Sequence, residues 1–143
     1  MATDNQVIYR LILAVFLGGI IGLERQIHHR AAGLRTHILV SLGSALIMLT
    51  SLYIFGIYQN VANVDPGRIA AGVITGIGFL GAGTIFRQQD QVMGLTTAAS
   101  LWAVAAIGLA VGCGFLSAAL VATALVLTCL FILRRLEKYL GKG

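Results

Sequence analysis

The chain has 143 residues, of which 58% are hydrophobic and 10% are charged, and its formal net charge is +5. Soluble domains carry about 25% charged residues, so this composition excludes a soluble enzyme, a disordered tail and a secreted disulfide scaffold. Charged residues are absent from four stretches, residues 11–23, 36–64, 69–86 and 91–133. Because about 20 apolar residues cross a bilayer, we predict a polytopic membrane protein of the all-α class.

The charge-free stretches predict five transmembrane helices in one domain over residues 1–143. The expected helices cover residues 7–23, 38–57, 69–86, 95–111 and 115–133. The first apolar run has the length of a signal peptide's core, but no basic residue precedes it and no small-residue cleavage site follows, which favours a retained helix. If that helix lay at the interface instead, four spans would remain. The last stretch holds two helices because Gly112-Cys113-Gly114 supplies a tight turn, and no soluble C-terminal domain is expected after the fifth.

The distribution of Lys and Arg predicts the orientation of this helical bundle. With five spans, one side carries only Arg10 and Arg68, and the other carries Arg25, Arg30, Arg35, Arg87, Arg134, Arg135, Lys138 and Lys142. Since loops rich in Lys and Arg stay in the cytoplasm, we expect a cytoplasmic C-terminus and an external N-terminus. The basic residues flank apolar segments and form no stripe with aromatic residues, which argues against binding to nucleic acid.

The third helix is preceded by Asp65-Pro66-Gly67-Arg68. Asp65 can accept hydrogen bonds from free N–H groups at the helix start, and Pro66 suits the first helical position. The alternative is that Asp65 and Arg68 form an outward-facing polar pair.

The third helix is rich in glycine, which allows two interpretations. On a helical wheel, Gly72, Gly76 and Gly83 share one face, while Gly78 and Gly81 lie on much of the opposite side. Small residues let helices approach closely in lipid, so these glycines predict tight packing that closes the bundle and builds a homodimer. The alternative is local unwinding over residues 76–83 that exposes backbone groups to an ion.

The fourth helix begins with the hydroxyl-bearing residues Thr96, Thr97 and Ser100, and they are followed by Trp102, which we expect to pack between helices. Hydroxyl groups can bond to the preceding turn, so helix packing alone explains them. The alternative is a polar lining for a cavity at the cytoplasmic end.

Glu24 is the most informative polar residue because it ends an apolar run. An ionised carboxylate at membrane depth is costly unless it is paired, so we expect a partnership with Arg25 or Arg35. This pair either fixes the topology or belongs to a ligand, proton or Mg²⁺ site on the cytoplasmic side, since Mg²⁺ prefers oxygen ligands. The other residues expected in that site are Thr36, Thr96, Thr97 and Ser100. A single carboxylate beside arginines is a poor cation cage, which favours an anionic or protein partner.

Two further classes of site receive little support from the sequence. His28, His29 and His37 could form a zinc-binding or pH-sensing group, but adjacent histidines in a basic loop are more often solvated. No Ser-His-Asp or Cys-His set is present, and no two carboxylates share one depth, so we expect a protein that is not an enzyme.

Five ordered motifs resemble the transmembrane domain of the MgtC/SapB family. They are Gly22-Leu23-Glu24-Arg25, Ala32-Gly33-Leu34-Arg35-Thr36-His37, the stretch from Asp65 to Ala71, the stretch from Gly76 to Gly83, and the stretch from Gly94 to Trp102. By position, the family's polar signature corresponds to Glu24, Arg25, Arg35, Thr36, Asp65, Arg68, Thr97 and Trp102.

The resemblance implies a bacterial inner-membrane protein linked to low Mg²⁺, acid tolerance or survival in host cells. Family members are named as Mg²⁺ transporters or regarded as regulators of other membrane proteins such as the F-type ATP synthase. We therefore expect a regulator whose cytoplasmic face, centred on Glu24, Arg25 and Arg35, binds a membrane partner or an ion. The alternative is a small Mg²⁺ or proton transporter in which Glu24 is the intramembrane carboxylate.

Overall fold

The computed structural model describes residues 3–61, 63–89, 91–133 and 135. Within them the chain forms α1 (Asp4–Ile27), α2 (Leu34–Tyr58), α3 (Pro66–Ala82), α4 (Leu95–Cys113) and α5 (Leu116–Thr128). The π-helical turn Cys129–Leu133 continues α5, and an antiparallel hairpin of β1 (Phe86–Gln88) and β2 (Gln91–Met93) precedes α4. The predicted all-α class with five helices is confirmed.

Most of the helices are longer than their charge-free cores predicted. The first begins at Asp4 and continues through Ile27, so it includes the charged residues that follow the apolar run. The second begins at Leu34 and not at residue 38. Polar residues extend a helix beyond its apolar segment because backbone hydrogen bonding does not depend on hydropathy.

The predicted end of the third helix at residue 86 was wrong. The helix ends at Ala82, where Gly83 follows and the Thr84 hydroxyl donates to the carbonyl of Gly81 at 2.8 Å. From Phe86 the chain is extended and pairs with the strand that ends at Met93. A charge-free stretch carries no signal for this change, because Phe86 fits an apolar helix and a strand equally well.

Three of the helices, α1, α2 and α4, are long and apolar enough to cross a membrane. The first of these is the helix whose crossing the sequence left open. The remaining apolar helices, Pro66–Ala82 and Leu116–Ile132, are shorter. Their crossing of the membrane, and the orientation of the bundle, remain predictions.

The fourth helix packs against all four of the others, α2 packs against α1, α3 and α4, and α5 packs against α4 and α1. The main core is a cluster of fully buried apolar side chains: Ala14, Leu17, Ile21, Ala45, Val104, Ile107, Val111 and Ala119. A smaller cluster joins α3 to α4 through Val73, Ile77 and Ala105.

Glycines on α1 and α4 let these two helices approach α2 closely. A Cβ atom added at Gly18 would lie 2.7 Å from the Cβ of Ser41, and one added at Gly112 would lie 2.6 Å from the carbonyl oxygen of Ala45. Gly22 and Gly108 face α2 equally closely. Such contacts require glycine, because a side chain would push the helices apart.

Most glycines of α3 do not show the tight packing that the sequence predicted for this helix. A Cβ added at Gly72, Gly76 or Gly78 would meet no atom within 4 Å, whereas one at Gly81 would lie 3.5 Å from the Cβ of Ala98. Gly83 follows the helix end, where an added Cβ would contact only the preceding turn. The first three therefore contribute no packing within one chain. The helix is regular through Ala82, so residues 76–82 are not unwound.

The connections at one end of the bundle follow the predicted turn chemistry. Gly114 has φ of 89°, a left-handed conformation that lets α5 follow α4 almost directly. At the start of α3, the Gly67 N–H donates to Asp65 Oδ1 at 2.8 Å, so the predicted cap is present.

The other end of the bundle carries the connection over residues 28–33 and the β-hairpin. We call it the basic end, because Arg30, Arg35 and Arg87 are exposed there. Of the remaining basic residues predicted for this side, Arg134, Lys138 and Lys142 lie outside the described residues.

Candidate functional site

Glu24 and Arg25 are buried at the basic end, in the last turns of α1. Their side chains are both 4% exposed, and Arg25 Nη1 lies 3.7 Å from Glu24 Oε2. One helical turn later, the Nδ1 of His28 lies 2.8 Å from Glu24 Oε1 and 2.8 Å from the Glu24 carbonyl oxygen. The predicted pairing of Glu24 with Arg25 is therefore present, whereas Arg35 is exposed.

The burial of these charges follows from the close approach of α1 to α2. A Cβ added at Gly22 would lie 2.8 Å from the Cα of Leu34 and 2.9 Å from the Cβ of His37. The backbones therefore meet just where the apolar run ends, and the next two residues are enclosed. An enclosed carboxylate is stable only with partners, which Arg25 and His28 supply.

A second buried group, next to the first, joins α2 to α4. His37 is completely buried, with its Nδ1 2.8 Å from the Gly33 carbonyl oxygen and its Nε2 3.1 Å from the Ser100 hydroxyl. Ser100 also lies 2.8 Å from the Thr97 carbonyl oxygen.

The proton positions in this group are interdependent. A carbonyl only accepts, so Nδ1 of His37 must carry a proton, and in the neutral ring Nε2 then accepts from Ser100. If the ring gains a second proton, Nε2 donates to Ser100, whose hydroxyl then donates to Thr97. The group to which Ser100 donates its single hydroxyl proton therefore depends on the charge of the imidazole: His37 when the ring is neutral, and the Thr97 carbonyl when the ring is charged.

The structure divides the predicted cytoplasmic site into two sets. Glu24, Arg25, Thr97 and Ser100 are buried, whereas Arg35, Thr36 and Thr96 are exposed. Buried side chains cannot touch a macromolecular partner directly. Only the exposed set is available for contact, and the buried set can act by holding the loop and the first turn of α2 in place.

The predicted outer residues lie at the opposite end of the bundle, at the start of α3. Asp65 and Arg68 are both exposed, and Asp65 accepts from Gly67. Among the described residues, the ion pairs found involve Glu24 and not Asp65. Trp102, predicted to pack between helices, is 52% exposed on α4.

Nothing in the described residues assembles a ready-made metal site. No group of three His, Cys, Asp or Glu residues that could hold a metal ion occurs among residues 3–61, 63–89, 91–133 and 135. The histidines that the sequence placed together are separated: His28 contacts Glu24, His37 contacts Ser100, and His29 is exposed. These residues therefore do not fit a preformed protein cage for Mg²⁺.

Sequence reasoning missed the polar stripe of α2. Ser41 and Ser51 are fully buried and Ser44 is nearly so. The Ser51 hydroxyl donates to the Pro66 carbonyl oxygen at 2.8 Å, and within the described part of the chain Ser41 Oγ has no hydrogen-bond partner. The helical spacing of His37, Ser41, Ser44 and Ser51 was the available signal, because such residues share one face.

Apolar helices around an enclosed charged cluster define a polytopic helical membrane protein. A sequence model of the MgtC family matches residues 11–139, and the chain therefore belongs to the MgtC family. The resemblance seen in the motifs is confirmed.

Three relatives illustrate the match. The chain is 45% identical over 131 residues to the "Putative magnesium transporter YhiD" of Escherichia coli K12, covering 90% of this chain and 61% of that protein. It is 46% identical over 127 residues to Protein MgtC of Brucella abortus, covering 89% and 51%. The same identity and length hold for Protein MgtC of Salmonella typhimurium, of which the chain covers 52%. The chain thus spans about half to three-fifths of these relatives' length. No solved structure matches it.

Proposed function

We propose that this chain is a regulator in the bacterial inner membrane that acts on ion and pH homeostasis by binding another membrane protein. In this proposal the basic end faces the cytoplasm and the N-terminus lies outside. Exposed Arg35 and Thr36 contact the partner, while buried Glu24 and Arg25 hold the contact surface in place.

The division between buried and exposed charges is the observation that carries this proposal. Arg35 is exposed in the first turn of α2, and its neighbour Leu34 packs against Gly22 of α1, two residues before the enclosed Glu24. On a rigid backbone, binding costs only the side-chain freedom of the arginine, and its planar guanidinium is preorganised to donate several hydrogen bonds, which favours its use in recognition. The bundle axis, filled by side chains such as Leu17 and Val104, favours a binding protein over a conduit.

The partner we propose is the F-type ATP synthase, following the family resemblance. The test uses liposomes that contain purified ATP synthase, with and without the purified chain, and measures ATP-driven proton pumping by fluorescence quenching. We expect the chain to change the pumping rate and Arg35→Gln to weaken that effect. Arg30→Gln is the matched control, because Arg30 is also an exposed arginine at the basic end. Pumping that is identical with and without the chain would contradict this partner.

A second candidate function is a small Mg²⁺ or proton transporter. Two observations favour it: the buried carboxylate of Glu24, and the buried serines of α2, which extend from His37 toward Pro66. The name of the Escherichia coli relative, which describes a magnesium transporter, agrees with this candidate.

Flux measurements separate the two candidate functions. Proteoliposomes loaded with a Mg²⁺-sensitive or a pH-sensitive dye report transport directly. The regulator predicts no flux above that of empty liposomes. The transporter predicts flux that Glu24→Gln abolishes and that Asp65→Asn, a change to an exposed carboxylate at the other end, leaves intact.

A further inference from the structure

A surface groove of about 700 Å³ runs between α2 and α3. Most of its lining is apolar, and it includes Leu39, Gly43, Ile47, Gly72, Gly76 and Leu80. Gly43, Gly72 and Gly76 leave its floor open, since a Cβ added at any of them would meet nothing within 4 Å. The α3 glycines that contribute no packing within the chain therefore help to form a trough.

The groove ends at a polar mouth. Arg35 and Thr36 line the groove and also a second cavity of about 550 Å³, which Gln26, Ala31, Gly33 and Leu34 complete. We call this second cavity the cup. An apolar trough thus continues into a polar cup at the first turn of α2, with both residues of the junction exposed.

We propose that the groove and the cup together bind one anionic glycerophospholipid. An acyl chain lies in the groove, and the phosphate of the head group binds Arg35 and Thr36, the same two residues that the proposed protein partner contacts, so the lipid and the partner would compete for them. A guanidinium can donate two parallel hydrogen bonds to a phosphate, and a hydroxyl can donate a third. The Leu34 N–H already donates to Gln26 Oε1 at 3.4 Å, and the N–H groups of Arg35 and Thr36 in the same first turn of α2 add a favourable field for negative charge at this position.

Charge complementarity favours a lipid over a second copy of this chain. Arg30 and Arg35 are exposed at the basic end, while the carboxylate described there, Glu24, is enclosed with Arg25 and His28. A parallel second copy would place its own basic end against Arg35. A phosphate supplies the opposite charge, and its attached acyl chain accounts for the apolar trough below.

The experiment uses the purified full chain in detergent and native mass spectrometry, which counts retained lipids. The probes are phosphatidylglycerol and phosphatidylcholine with identical acyl chains, and glycerol phosphate as a head group without chains. We expect preferential retention of phosphatidylglycerol and no retention of glycerol phosphate. Equal retention of the two lipids, or retention of glycerol phosphate at the same concentration, would overturn the proposal.

Two pairs of variants locate the site. Arg35→Gln should weaken phosphatidylglycerol binding about tenfold or more, as expected for a lost hydrogen bond to a charged group, while Arg30→Gln should not. Gly76→Leu fills the groove and should reduce retention of both lipids. Gly78→Leu is the matched control, because Gly78 is equally open on the same helix but does not line the groove.

The remaining outcomes are equally decisive. If Gly76→Leu retained as much lipid as Gly78→Leu, the groove would not be the site. If Gly76→Leu instead disrupted a dimer and left lipid retention unchanged, the occupant would be a second copy. Melting curves confirm that each variant is folded. Because Gly76→Leu leaves Arg35 in place, the lipid site can fail while regulation of the ATP synthase stands, and the reverse also holds.

Discussion

The imidazole Nε2 of His37 lies 3.1 Å from the hydroxyl of Ser100, and this contact joins α2 to α4 across 63 positions of sequence. Both residues are buried, so neither has access to water as a substitute partner. His37 lies only two residues after Arg35 of the exposed set, so the contact supports the first turn of α2.

Ser100→Ala should destabilise the bundle, because it leaves a buried imidazole nitrogen without a partner. An unsatisfied buried polar group costs about 1–3 kcal/mol. The measurement is the free energy of unfolding in mixed micelles titrated with SDS. Thr50→Ala is the control, since the Thr50 hydroxyl bonds only to its own helix on an exposed surface. Equal losses for the two variants would mean that the contact with His37 contributes nothing to stability.

Arg25→Met should be more harmful alone than together with Glu24→Gln. The single change leaves the buried Glu24 carboxylate without its Arg25 partner, and breaking a buried ion pair costs about 3–5 kcal/mol. The double variant removes both charges and keeps an oxygen that can accept from His28, so most of the stability should return. Apparent melting temperatures of the two single variants and the double variant test this. Additive losses would contradict the idea of an interacting pair.

Gly112→Ala should separate α4 from α2. Its added Cβ would lie 2.6 Å from the Ala45 carbonyl oxygen and 2.8 Å from the Cβ of Met48. Overpacking of this kind costs about 1–3 kcal/mol. Gly78→Ala makes the same chemical change in open space and should be neutral or stabilising, because alanine favours helix. Gly112→Ala should therefore lower the midpoint of thermal unfolding, whereas Gly78→Ala should leave it unchanged or raise it. If both variants lowered the midpoint equally, close packing at Gly112 would not be the cause.

Arg10→Met should weaken the turn between α4 and α5. The Arg10 Nη1 donates to the Gly112 carbonyl oxygen at 2.8 Å, which satisfies a free acceptor at the end of α4 and places a positive charge at its negative pole. We expect a loss of about 1–2 kcal/mol in the free energy of unfolding. Arg68→Met, at an exposed arginine of the same end, should change little. If both substitutions had the same effect, the hydrogen bond from Arg10 to Gly112 would contribute nothing to stability.

The existence of the helices could be predicted, but several of their ends could not. Charge-free stretches predicted every apolar helix. Gly114 predicted the turn after α4, and Asp65 predicted the cap at the start of α3. The hairpin after Ala82 escaped, because strand pairing depends on a partner, here the strand ending at Met93. The extension of α1 through Ile27 was not predicted either, because hydropathy indicates which residues can lie in a membrane and not where a helix ends.

The site was only partly predictable for a related reason. Residue type singled out Glu24, since a carboxylate at the end of an apolar run needs a partner, and Arg25 does lie beside it. Burial, however, depends on which helices meet. The enclosure of His37 comes from Gly22 on α1 and Ser100 on α4, and no spacing along α2 alone contains that information.

The hydrogen bond from Arg10 to Gly112 joins two residues that are 102 positions apart in the sequence, one on α1 and the other near the end of α4. During synthesis, Arg10 enters the membrane region long before the carbonyl that it will bind has been made. Until α4 has been made, the Arg10 guanidinium cannot form this hydrogen bond. The attachment of α1 to the end of α4 can therefore form only after Gly112 has been made, although α1 can already pack against α2 through Gly18 and Gly22.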